Sequence, residues 1–182
     1  MDNFKNKNIT KNLYIQIMEE SDLEDARLMH NDESTLFQLT DVNHVNEYSQ
    51  KKWFEKLSLS NSSKRYVARL KIDSSFVGVF RIDNLDYINK SAHVGLDIVS
   101  NMRGKGYAKE IYKYFFEYLF NQQCLNRLAL VTLENNQIAL NLYNKMGFIQ
   151  EGINRKAIFR FGKFNDLVCM SLLKEEWLKS SF

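Results

Sequence analysis

What the chain lacks narrows it first. Its 182 residues include no proline, so its turns have to be made by Gly, Asn, Asp and Ser. Cysteine is nearly absent too: Cys124 and Cys169 stand far apart and form no C-x-x-C pair or other metal-ligand spacing. That excludes a disulfide framework, implies no metal, and fits a reduced, cytoplasmic protein. No apolar run approaches the ~20 residues a bilayer span needs. The N-terminal MDNFKNKNITKN has no apolar segment of the kind a secretory signal carries. Neither sign of charge dominates, with 25 basic against 22 acidic side chains and a net +3. A nucleic-acid binder normally shows a dense basic patch with aromatic stacking residues, and this balance supplies none. Glycine is sparse at seven residues, and two of them flank Lys105 in NMRGKGYAKE.

What is present is enough for a folded core: 45% hydrophobic and 13% aromatic residues. No repeat, linker or break in composition divides the chain. The expected organisation is a polar, partly disordered tail over residues 1–12 and a single domain over 13–179. Leu13–Met18 reads as a strand. Ser21 or Asp22 can cap a helix carrying Leu23, Ala26, Arg27 and His30, and a second helix is expected near Val45–Leu59. Tyr66, Ala68, Leu70 and Ile72 alternate with the residues between them, which predicts a strand turning at Asp73-Ser74-Ser75 into FVGVFRIDNL. SAHVGLDIVS is a third strand, with Ala92, Val94, Leu96 and Ile98 on one side and His93, Gly95 and Asp97 on the other.

Ala108, Ile111, Tyr112, Phe115 and Leu119 then fall on one face of a helix. Arg127–Leu133 is a short apolar strand. Asn136–Met146 is a helix stopped by Gly147, and Phe148–Glu151 and Leu167–Leu173 form a last pair of strands. The pattern is α+β: a mostly antiparallel twisted sheet of about six to seven strands flanked by about four helices, with a strand–helix–strand–helix unit in the middle.

The loop at 103–108 opens the central helix. Helix N-termini leave backbone N–H groups unpaired and carry a partial positive charge. Glycines let an anion approach those amides without a Cβ in the way, and Arg103 and Lys105 add full charges. A pyrophosphate cradle and a plain glycine turn with solvated basic residues both fit this spacing. Neither G-x-x-x-x-G-K-[ST] nor G-x-G-x-x-G is present, because Lys109 stands where the last glycine of the second motif would be.

Arg103, Gly106 and Ala108, read as R-x-x-G-x-A between a strand and a helix, resemble the acetyl-CoA-binding motif of the GNAT N-acetyltransferases. One strand further on, ENNQIALNLYNKMGF is similar to that family's second signature, and GKFNDLVCMSLLKEEW resembles the end of its ribosomal-protein N-terminal, spermidine and amino-sugar branch. The resemblance covers about residues 13–177. It implies acetyl-CoA as cosubstrate, with strands 91–99 and 127–133 splayed around the pantetheine arm. The backbone near Ile98 and Val99 would pair with the pantetheine amides. The pyrophosphate would sit on the amides of Arg103, Gly104, Lys105, Gly106, Tyr107 and Ala108, with Asn136 holding the cofactor near its thioester. A primary amine, on a small molecule or a protein N-terminus, would attack the thioester directly in a ternary complex. A non-catalytic CoA-binding sensor or scaffold is the alternative. The protomer is a monomer or a homodimer.

For the chemistry, Tyr143 is the candidate acid: a phenol stays protonated at neutral pH and can donate to the leaving thiolate. The base is open. Where some relatives place a glutamate, this chain has Val131, and Glu134 follows three residues later. His93 stands where relatives of this branch read A-E-x-G, and an imidazole can accept a proton near neutrality; a chain of ordered waters does the same work. His30, His44, Trp53 and Phe54 lie in the segment expected to border the acceptor, where helix surface or core packing explains them better; Asp32, Glu33 and Asp41 fit an acidic rim and a solvated loop alike.

Overall fold

The computed structural model describes residues 10–160 and 162–180. The first nine residues of the expected polar tail lie outside this range. Of its remainder, Asn12 is held by the Glu110 carboxylate through its backbone N–H (2.6 Å) and its side-chain amide (2.9 Å).

In chain order the elements are β1 (Leu13–Ile17), α1 (Leu23–Asn31), α2 (Glu33–Leu36), α3 (Glu47–Ser58), β2 (Lys64–Leu70), β3 (Phe76–Asp86), β4 (Ser91–Ile98), α4 (Tyr107–Phe116), β5 (Arg127–Leu133), α5 (Gln137–Lys145), β6 (Ile149–Arg160), β7 (Lys163–Leu173) and α6 (Lys174–Lys179). The strands form one seven-stranded sheet in the order β1-β2-β3-β4-β5-β7-β6. Every neighbouring pair is antiparallel except β4 and β5. The α+β class and the mostly antiparallel sheet are therefore as the sequence implies.

Each face of the sheet has its own core. On one, α4 buries Ile111, Tyr112, Phe115 and Phe116 against Phe80, Ile82, Ala92, Val94 and Leu128. Phe80 and Phe115 stack with centroids 3.7 Å apart and planes 5° apart, so truncating either ring would cost about 3–5 kcal/mol. On the other face, Ala26 and Met29 of α1 meet Val67 and Val79, with Phe54 of α3 packed beside them. The strand alternation read in SAHVGLDIVS is thus real: its even residues face the α4 side and its odd residues face the α1–α3 side.

Three local details differ from expectation. The β2–β3 turn starts at Lys71, not Asp73, and Ile72 is 90% exposed. The strand stops early because its pairing with β3 shifts at Ala68/Arg69 and the turn closes on Leu70, which donates to the Ser75 carbonyl and accepts from the Ser74 N–H, both at 2.9 Å. The central helix widens into a π turn over Glu117–Gln122, keeping Leu119 and Phe120 buried. The last hairpin is far longer than read, with twelve and eleven residues in its strands. Its outer portion is mostly exposed and polar, so apolar periodicity marked only the stretch near the core. Asp22 acts through a capping box with Glu19 and as a buried ion-pair partner of Arg69 at 2.8 Å.

Candidate active site

The loop before α4 is a helix start with nothing to cap it. Gly104 and Gly106 have φ of +75° and +87°, and an added Cβ on either would meet no atom within 4 Å. Gly106 occupies the N-cap position without a side-chain cap. Among the described residues, no protein acceptor serves the amides of 104–109, and the first backbone bond of the helix runs from Glu110 N–H to the Gly106 carbonyl at 3.3 Å. Six backbone donors thus gather at the positive end of a ten-residue helix, beside open space.

That space continues into a split in the sheet. β4 and β5 pair only at Ser91/Arg127, Ala92/Leu128 and His93/Ala129. Beyond them β5 stays paired with β7 through Leu133 while β4 stays paired with β3 through Ile98, so the two strands part. The Val99 N–H donates to the Val77 carbonyl at 3.0 Å. By the alternation of an antiparallel ladder, Leu96 and Ile98 then aim their N–H and C=O groups away from β3, into the split. A cavity of about 1050 Å³ fills it and runs from the glycine loop to the far side of the sheet.

Tyr143 of α5 lines this cavity although it is only 8% exposed. Its ring stands edge-on to Tyr112 at 6.1 Å and to Phe148 at 5.8 Å. Burial pushes its phenol above the ordinary value, with the nearby Asp97 charge adding to this against the opposing influence of Tyr112 and Arg81. The hydroxyl is therefore kept protonated. Asn136, with its Oδ1 accepting the Ala139 N–H at 3.1 Å, starts α5 and puts Tyr143 two turns in.

The other end of the cavity has a floor of side chains from β3 and β4: Arg81, Asp83, His93 and Asp97, with Gly95 between the last two. Its wall is Ser34, Thr35, Gln38, Leu39 and Thr40. Arg65 ties down Asp83 at 2.9 Å and also donates to the Ile82 carbonyl at 3.2 Å. Arg160, on the long hairpin, donates to the carbonyls of Leu39 (3.5 Å) and Thr40, which holds the wall against β6.

The residues singled out from sequence therefore scatter. Ile98, Gly104, Gly106, Tyr107, Ala108, Asn136, Tyr143 and His93 all line the cavity. Arg103 lines it too, but its guanidinium is occupied: it donates to the Ile98 carbonyl (2.8 Å), Ser34 Oγ (3.0 Å) and Thr35 Oγ1 (2.6 Å), bracing the loop against α2. Lys105 is exposed beside Met102, outside the lining, whereas Lys109 and Lys145 are in it. Val99 borders a separate surface pocket, and Glu134 is exposed at the end of β5. His30 contacts the Asn43 carbonyl, Asp41 binds the Asn43 amide and Trp53 carries Arg65 on its ring, so the fold accounts for these three. His44 and Glu33 are exposed, and Asp32 is engaged by Ser34 Oγ. Arg81, Asp97 and Thr35 went unnoticed as site residues. Of these, Asp97 alone left a signal in the sequence, the strand face it shares with His93.

Comparison with known proteins follows this geometry. A family model described as an acetyltransferase (GNAT) domain matches residues 15–169. The chain is 34% identical over 110 residues to a Bacillus subtilis protein named "Putative ribosomal N-acetyltransferase YdaF", a match covering 60% of each chain. It is 27% identical over 164 residues to the L-amino acid N-acetyltransferase AaaT of Escherichia coli, covering 89% of this chain and 98% of that one. Among solved structures, the Vibrio cholerae spermidine N-acetyltransferase in complex with CoA and spermine superposes with a TM-score of 0.87 at 22% identity. That superposition covers 92% of this chain and 98% of the other.

Proposed function

Because the chain belongs to the GNAT family of acetyltransferases, we propose that it moves the acetyl group of acetyl-CoA to a primary amine by direct attack within a ternary complex. The observation that carries this is the parting of β4 and β5 in front of six unpartnered amides at the start of α4. The pyrophosphate of CoA would take the amides of 104–109, with Lys109 and Lys145 supplying charge. Its pantetheine amides would pair with Leu96 and Ile98 as an added strand between β4 and β5. Val99, whose N–H is already given to Val77, would be spared from that role.

The thioester then lies near Tyr143, whose protonated hydroxyl donates to the departing sulfur as the C–S bond breaks. The amine nitrogen forms the new C–N bond, and its proton leaves through the cavity, with His93 at its exposed edge. Neither Cys124 nor Cys169 lines the cavity, which favours direct transfer over an acyl-cysteine intermediate. A cytoplasmic location suits this cosubstrate.

The test is thiol release from acetyl-CoA in the presence of a panel of primary amines. Initial rates varied in both substrates should give intersecting lines; parallel lines would replace the ternary complex with a covalent acetyl-enzyme. CoA binding without thiol release for any amine would leave a sensor or scaffold.

A further inference from the structure

We infer that the acceptor is an amine that also bears a carboxylate, held by Arg81; this rests on the acetyltransferase reading above. Arg81 lies on the sheet surface directly above Gly95. A Cβ at that position would come within 2.6 Å of its Nη2, so the glycine keeps the guanidinium's place open. The side chain is 35% exposed, toward the cavity, while its Nε is shut off from solvent and has no hydrogen-bond partner. Its nearest acid is Asp97, at 3.5 Å from that Nε, beyond normal hydrogen-bond length for a charged pair.

The neighbouring arginines differ. Arg103 uses all three of its nitrogens, on Ile98, Ser34 and Thr35, and Arg65 turns its Nη1 to Asp83 and to the carbonyls of Lys64 and Ile82. A half-buried guanidinium with idle donors is a poor structural element but a ready fork for a planar carboxylate.

Charge balance points the same way. Arg103, Lys109 and Lys145 belong to the cofactor end; at the acceptor end Arg65 already holds Asp83, which leaves Arg81 beside Asp97. A polyamine would bring several more positive charges to a floor whose charges are already balanced. A zwitterion brings no net charge, and the floor offers it Arg81 for its carboxylate and Asp97 beside its amine. Arg81 Nε and Asp97 Oδ2 are 3.5 Å apart, so a carboxylate on the one and an amine beside the other are separated by only a few atoms. A free amino acid meets this through its α-carboxylate, and a peptide through an acidic first side chain.

The experiment compares thiol release from acetyl-CoA with free amino acids, the same amino acids as carboxamides, an Asp-initiated dipeptide and spermidine. Wild type should favour the free acids over their carboxamides by roughly 10–100-fold in kcat/KM. In Arg81→Gln that ratio should fall toward one, with CoA affinity by calorimetry unchanged; Arg81→Lys should retain part of it. If Arg81→Gln fails to bind CoA, the wild-type ratio alone decides. A dipeptide outperforming every free amino acid supports the same carboxylate contact from a side chain. Equal use of acids and carboxamides, or a preference for spermidine, overturns the inference while leaving the acetyltransferase reading intact. Turnover with no amine overturns both.

Discussion

The two ends of the cavity present different groups. At the α4 end these are backbone amides, freed by two left-handed glycines and by a pair of strands that stop pairing. At the other end they are side chains: Arg81, Asp83, His93 and Asp97 on the floor, and Ser34, Thr35 and Gln38 on the wall. A backbone site depends on conformation, so it tolerates change in most side chains and is destroyed by a wrong φ. A side-chain site depends on identity, so it can be retuned one residue at a time while the fold stays the same. A shared cofactor end with a variable acceptor end is what this division allows.

Perturbing each end should separate them, beginning with the residue where they meet. Tyr143→Phe should lower kcat by roughly 10²–10³-fold, the range of a lost general acid, with CoA affinity by calorimetry unaffected. Because burial raises the Tyr143 phenol, the alkaline limb of kcat in wild type should lie above the ordinary value of about 10. An alkaline limb below it would remove this residue from the acid role.

Gly106→Val should weaken CoA binding by at least about 10-fold. It forces a β-branched residue into a left-handed backbone, costing on the order of 1–2 kcal/mol, and projects atoms into the space over the amides. Preference among amines should not change. A shift in amine preference would show that the two ends are coupled.

His93→Gln should cost less than about 10-fold in kcat, since ordered water can replace a base at an exposed edge. A loss comparable to that of Tyr143→Phe would make His93 the base.

The smallest effect belongs to the sheet away from the cavity. Arg127 on β5 reaches over β7 to pair through both nitrogens with Glu151 on β6, and this holds the Glu151 carboxyl down to about 2. A carboxylate lowered from 4.5 stabilises the fold fully above its unfolded value, and that contribution disappears as pH falls toward 2. The pair is well solvated, so Glu151→Gln should cost only about 0.5 kcal/mol at pH 7. Urea unfolding at pH 7, pH 3 and pH 2 should find the full difference at the first, part of it at the second and little at the third.

The same division explains what could be read in advance. Sheet class, element order, the glycine loop and the Asn136–Gly147 helix were legible because each is written in a local pattern: alternation, a helical stripe, a cap, a glycine. The π turn at Glu117–Gln122 and the outer half of the β6–β7 hairpin were not, since neither leaves an apolar periodicity. Arg103 shows the limit most sharply. Its place in the motif was plain, yet its guanidinium braces the loop against Ser34 and Thr35, nearly seventy positions back in the chain.

By itself, then, the sequence determined the family, the fold class and the glycine loop that opens α4, because those reside in backbone conformation that neighbouring residues dictate. Tertiary structure decided where β4 and β5 part, which arginine braces the loop and which keeps donors free toward the cavity, and what lies across the cavity from Tyr143. Those depend on sheet register, which brings residues 34–40, 81–83 and 93–97 to one cavity, and no local pattern in the chain records that meeting.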